Sequence, residues 1–175
     1  QRAGTPVAYA EFIDFQKSRP IQDDHRLSHL FGAALYKEKG AGAISVCNFE
    51  SETGCLHEFF RQYTRENGLN SLDEFERQCE KTNGAAGACK HAIGHGILSY
   101  FGYAQKDLLP ALDLCASSFT DDEVLGCPGG VFMEHNGYLT LDPNDGPRDP
   151  DSTGWYGACL DVPPEFQRSC VWWLP

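Results

Sequence analysis

Eight cysteines arranged as four sequence-adjacent couples constrain this chain more than any other feature: Cys47 with Cys55, Cys79 with Cys89, Cys115 with Cys127, and Cys159 with Cys170. Eight half-cystines allow about 105 connectivities, so the spacing gives a preference for nearest neighbours and not a map. Structural zinc sites commonly use C-x2-C to C-x4-C knuckles, and no couple is that close. Disulfides form and persist in secreted, periplasmic or organelle-lumen settings, so the couples predict one of those compartments. Closing a loop of about ten residues contributes on the order of 2–3 kcal/mol in the chain-entropy model, a useful supplement where each helix is short.

The surroundings of the couples resemble one another. A short helical pattern precedes the first cysteine, as in Leu72 to Cys79 and Leu108 to Cys115, and another follows the second, as in Cys55 to Phe60 and Cys89 to His95. Each couple is therefore expected to staple the loop of a helix hairpin. A larger duplication overlies this pattern. His25, His29, Gly32, Leu35 and Tyr36 answer His91, His95, Gly96, Leu98 and Tyr100, while Cys47 answers Cys115 and Gly54-Cys55 answers Gly126-Cys127. Self-similarity of this kind marks a repeated supersecondary unit. The predicted fold is mainly α, with disulfide-stapled helical hairpins forming two pseudo-equivalent repeats, 25–67 and 91–139, in one solenoid- or bundle-like domain spanning 1–175. A leading helix is expected from Val7 to Lys17, ahead of Pro20. An acidic Pro/Gly loop is expected over 140–154 and a C-terminal disulfide hairpin over 155–175.

Composition narrows the partners. The chain carries 25 acidic against 14 basic residues, a formal charge of −11, and no run of Lys or Arg that could follow a phosphate backbone, so nucleic acid is not an expected partner. No stretch approaches the roughly 20 apolar residues that span a bilayer. The polar opening at Gln1 lacks the charged and apolar regions of a signal peptide, as a processed N-terminus or a trimmed chain would. The apolar end, Val171-Trp172-Trp173-Leu174-Pro175, suggests packing against a partner protein, self-assembly or further chain.

All six histidines fall within the two copies. Four form the pairs His25/His29 and His91/His95; side chains four apart share one helix face, which lets two imidazoles ligate one ion. If the two copies oppose equivalent faces, four imidazoles converge between them. His57 and His135 are candidate third ligands, and Glu58 and Glu134 candidate hard ligands or acceptors that orient an imidazole. Capping, core or surface roles are the competing reading of the same residues.

The pattern H-x3-H followed later by a third histidine, occurring twice, is similar in spacing to the copper-binding halves of type 3 copper proteins such as haemocyanins and tyrosinases. That resemblance implies a helical bundle with His25, His29 and His57 on one copper and His91, His95 and His135 on the other. It covers six residues, in a chain much shorter than those domains and with cysteine couples foreign to their helical core.

With the cysteines held in disulfides, imidazole sites suit copper(II), zinc or iron, and copper is favoured because an oxidising compartment keeps it divalent. Non-covalent bis-histidine haem stays open, since glycines flank the histidines; covalent c-type haem does not, because no C-x-x-C-H occurs. The His91-x3-His95 helix lacks the glutamate of a zinc peptidase. A metal-dependent oxidase or hydrolase would draw its base from Glu134, but a non-enzymatic metalloprotein is the leading expectation. The clustered carboxylates of 141–151 could hold calcium, but without the alternation and terminal glutamate of an EF-hand. The rival from another class is a cofactor-free structural or interaction subunit, with Trp155, Tyr156, Trp172 and Trp173 as its contact surface.

Overall fold

Three helices stop where glycine allows them to. Gly40, Gly68 and Gly102 have φ of 67°, 70° and 119°, and the N–H of each donates to the carbonyl four residues earlier, on Tyr36, Thr64 and Leu98. A left-handed glycine is the usual way for a helix to satisfy its last carbonyls. At the other end, Pro6 and Pro164 sit in first turns, where a missing N–H costs nothing.

The computed structural model describes residues 4–19, 24–47, 53–70, 72–80, 86–119, 122–136 and 157–174. Among them are nine α-helices and no strands: α1 (Thr5–Lys17), α2 (Asp24–Lys39), α3 (Gly54–Asn67), α4 (Leu72–Glu80), α5 (Ala86–Phe101), α6 (Gln105–Ser118), α7 (Cys127–Asn136), α8 (Gly157–Leu160) and α9 (Pro164–Trp172), with a 3-10 helix at Ala41–Val46. None is long and apolar enough to cross a membrane.

The helices α2, α3, α5 and α7 lie side by side in that order, and α4 and α6 pack back onto α5. Contacts advance in the same direction along α3 and α5. His57 meets His91 and His95, Thr64 Oγ1 donates to the Gly96 carbonyl at 2.8 Å, and Arg65 Nε donates to Ser99 Oγ at 3.0 Å. These two neighbours therefore run parallel, with α4 as the connection between them. Their shared core is apolar: Leu56, Phe59, Phe60, Ile93, Ile97, Leu98, Leu108, Leu112 and Phe132 are fully buried.

Three disulfides have both cysteines among the described residues. Cys47–Cys55 ties the end of the 3-10 helix to the start of α3, Cys115–Cys127 ties α6 to α7, and Cys159–Cys170 ties α8 to α9. Cys89 at the start of α5 is also disulfide-bonded, while the side chain of Cys79 lies outside the described residues. The three staples described and the leading helix agree with expectation. The acidic loop at 140–154, the calcium ligands expected in it, Trp155 and Tyr156 lie outside the described residues.

Glycine also sets how closely the row packs. A Cβ on Gly94 would strike the Cys127 carbonyl, one on Gly130 the His91 carbonyl, and one on Gly32 the Cys55 carbonyl; on Gly96 it would come within 2.9 Å of the Phe60 carbonyl. Each neighbour is backbone and has little room to move. Gly94→Ala should destabilise by at least the roughly 1–3 kcal/mol of an overpacked core. Gly87→Ala, in the same helix but facing open space, should leave stability unchanged or raise it by less than about 1 kcal/mol. Urea unfolding of the two variants checks this; equal losses would show that close packing is not the cause.

Candidate metal centre

Because α2, α3 and α5 approach closely, their histidines meet. His25 and His29 project from α2, His57 from the first turn of α3, and His91 and His95 from α5. His25, His29 and His57 each offer a ligand atom within 4.8 Å of the others, and so do His57, His91 and His95. His57 belongs to both groups. Its ring stacks on His95 at 4.0 Å between centroids, and it lies 5.3 Å from His25 and 5.4 Å from both His29 and His91. The Nε2 atoms of His25 and His29 are 3.0 Å apart.

The start of α3 fixes His57. Thr53 has φ of 67°, a conformation a β-branched residue adopts only when its surroundings impose it. Its hydroxyl lies 2.9 Å from His57 Nε2, and its carbonyl accepts the His57 backbone N–H at 3.1 Å. The other ring nitrogen, His57 Nδ1, is buried without a hydrogen-bond partner.

Two buried carboxylates stand behind the imidazoles. His95 Nδ1–H donates to Glu134 Oε2 at 2.7 Å, which leaves the lone pair on His95 Nε2, a buried atom without a hydrogen-bond partner. His29 Nδ1 lies 3.6 Å from Glu58 Oε2. This backing of a ring nitrogen by a carboxylate is how metal-ligating histidines are oriented and made more basic. Arg61, fully buried, joins the two acids: Nη1 donates to Glu58 Oε2 at 3.0 Å, and Nε lies 3.2 Å from Glu134 Oε1. Gln62 donates to Glu58 Oε1 at 2.7 Å, and the Tyr103 hydroxyl donates to Glu134 Oε1 at 2.9 Å.

These contacts fix the charges. Burial opposes ionisation of Glu134, but the bond from His95 and the Arg61 charge outweigh it and hold its carboxyl at about 2. Burial likewise opposes ionisation of Glu58, and the His29 contact and Arg61 again prevail, leaving it below its ordinary value. Burial pushes His57 well below its ordinary value, with the His95, His29, His91 and His25 rings adding to it. Burial also lowers His95, and it lowers His91 to about 3. Neutral His57, His91 and His95 thus lie near two ionised carboxylates that share one guanidinium.

Five of the six expected histidines fall in the two groups of three. His135 is buried with Nδ1 3.1 Å from Asn136 Oδ1 and belongs to neither group of three, while His57 is the third histidine of both. The expectation of two separate sets of three gives way to two sets that share a ring. Glu134 lies behind His95, as an orienting acceptor would. Two residues were not anticipated. Arg61 has a signal in its i,i+3 spacing from Glu58 on a helix buried over most of its surface; Met133, 3.2 Å from His91 Nε2 through its sulfur, has none. Set against family models, curated proteins and solved structures, the chain matches none.

Arg61→Met strands two buried carboxylates and should destabilise the metal-free protein by about 3–5 kcal/mol, read from urea unfolding. A loss below about 1 kcal/mol would show that the guanidinium is not what holds them. The pH dependence has one sign throughout. An imidazole kept neutral by the fold takes up its proton only on unfolding, so stability is full above about 6.5 and falls as pH drops toward 3. A carboxyl held ionised adds a loss below 4.5 as pH drops toward 2. Denaturation midpoints of metal-free protein should therefore decline from near neutrality with a slope of roughly 1.4 kcal/mol per pH unit for each such imidazole. A flat profile between pH 7 and 5 would contradict neutral burial.

Proposed function

We propose that this chain is a secreted or lumenal metalloprotein that holds a transition-metal ion through His25, His29, His57, His91 and His95. One observation carries the reading: a buried lone pair on His95 Nε2, aimed away from the carboxylate that fixes its tautomer, beside the neutral rings of His57 and His91. A nitrogen in that state needs a proton donor or a cation, and leaving it with neither costs about 1–3 kcal/mol. The excess negative charge of Glu58, Glu134 and Arg61 favours the cation, which would also offset the cost of burying the second carboxylate.

An ion suits the space better than haem. The His57 and His95 rings are in stacking contact at 4.0 Å, with no slot between them for a macrocycle. The disulfides support an oxidising compartment, where imidazole and not thiolate is the donor that remains.

Titrating metal-free protein with copper(II) and zinc(II) by calorimetry tests the proposal. Wild type should bind. His57→Ala should weaken binding most, by about 100-fold, because it removes a donor from both groups, and His91→Ala and His95→Ala should follow at about 10–100-fold. His135→Gln should keep the wild-type affinity. Unchanged stoichiometry and affinity in the His57, His91 and His95 variants would reject the site.

A further inference from the structure

The single methionine of the chain stands at the edge of the histidine groups. Met133 lies on α7 directly before Glu134, so adjacent residues of one helix turn reach adjacent histidines of α5: Glu134 Oε2 to His95 Nδ1 at 2.7 Å, and Met133 Sδ to His91 Nε2 at 3.2 Å. The carbonyls of Gly126 and Leu125, just before α7, hydrogen-bond the His91 ring. In the tautomer whose ring proton sits on Nδ1, Nε2 presents a lone pair to a thioether that also has only lone pairs to offer. Two such donors facing each other attract little between themselves, but they converge naturally on a shared cation. Bonds of about 2.0 Å to nitrogen and about 2.3 Å to sulfur place two ligands of one ion roughly 3.1–3.6 Å apart, a range that includes this separation. Trp173 closes the outer side: its ring lies 5.0 Å from His91, and its indole N–H donates to the Val124 carbonyl at 2.7 Å.

We infer that Met133 Sδ is a ligand of the metal held by the histidines and that it makes the site a copper site able to hold the cuprous ion. This rests on the histidine site proposed above. Imidazole alone serves zinc, copper(II) and iron with little distinction, whereas a thioether is a soft donor that favours copper(I). No other soft donor competes for that role among the described residues, because no cysteine there is free. Met133 is partly exposed where His91 and His95 are buried, which puts the soft donor on the accessible side of the site.

X-ray absorption at the copper edge, with ascorbate to keep the ion cuprous and the disulfides intact, is the test. Wild type should show one sulfur neighbour at about 2.3 Å, and Met133→Leu should lose it. Competition with a chromogenic copper(I) chelator should show affinity falling about tenfold or more in Met133→Leu, with zinc(II) affinity unchanged. Selenomethionine protein gives a second readout that needs no variant: selenium should appear in the copper shell. A nitrogen-only shell in wild type, or no copper neighbour of selenium, overturns the assignment of Met133 and leaves the histidine site standing. Failure of wild type to take up either copper or zinc overturns both.

Discussion

Contact between backbones at glycine sets the spacing of the helices in this protein, and the spacing decides whether imidazoles on different helices meet. Helices separated by ordinary side chains stand about 8–10 Å apart, a distance at which histidines on neighbours point past one another or hold water between them. Gly32, Gly94, Gly96 and Gly130 remove the intervening side chains where α2 meets α3, α3 meets α5, and α5 meets α7. The disulfides act on the same problem from the connections: Cys47–Cys55 and Cys115–Cys127 enter the row at the first turns of α3 and α7, and Cys89 at the start of α5 is disulfide-bonded as well. Close packing fixes the translation between helices, and the staples fix where along its length each helix starts.

Burial at that spacing then determines the chemistry. A solvated cluster of histidines would share protons and repel itself; here the fold withholds water, so His57, His91 and His95 stay neutral, while hydrogen bonds and Arg61 keep Glu58 and Glu134 ionised. Arg61 touches both carboxylates, one behind the α2 histidines and one behind the α5 histidines. Any change in charge at one group is felt through a single guanidinium at the other. In a low-dielectric setting that linkage is stronger than the distances alone suggest.

Local features of this arrangement were legible in the sequence and long-range ones were not. Helix type followed from periodicity, the staples from nearest-neighbour cysteines, and the pairs His25/His29 and His91/His95 from i,i+4 spacing, all within a dozen residues along the chain. The third partner was harder. His57 follows Cys55 by two positions and His135 follows Cys127 by eight, a difference that does not say which one reaches the pairs; packing does, because α3 lies between α2 and α5 and a side chain from its first turn reaches both neighbours. Arg61 was hidden for a related reason. Its i,i+3 relation to Glu58 reads equally well as a solvated surface pair, and only the packing of α3 on both sides reveals that it is buried.

Sulfur is divided between two tasks in this chain. Every cysteine among the described residues is consumed in holding helices together, and that use removes the thiolate, the strongest soft donor a protein has. What is left near the imidazoles is one thioether, which cannot be oxidised into a disulfide and carries no charge at any pH. A site assembled from such donors gains no net charge from its ligands, so the attraction for a cation has to come from Glu58 and Glu134 behind the rings. Neutral donors tied to buried acid groups are what remains once the thiols are spent on staples, and Glu134 behind His95 and Glu58 behind His29 supply those acid groups from the neighbouring helices.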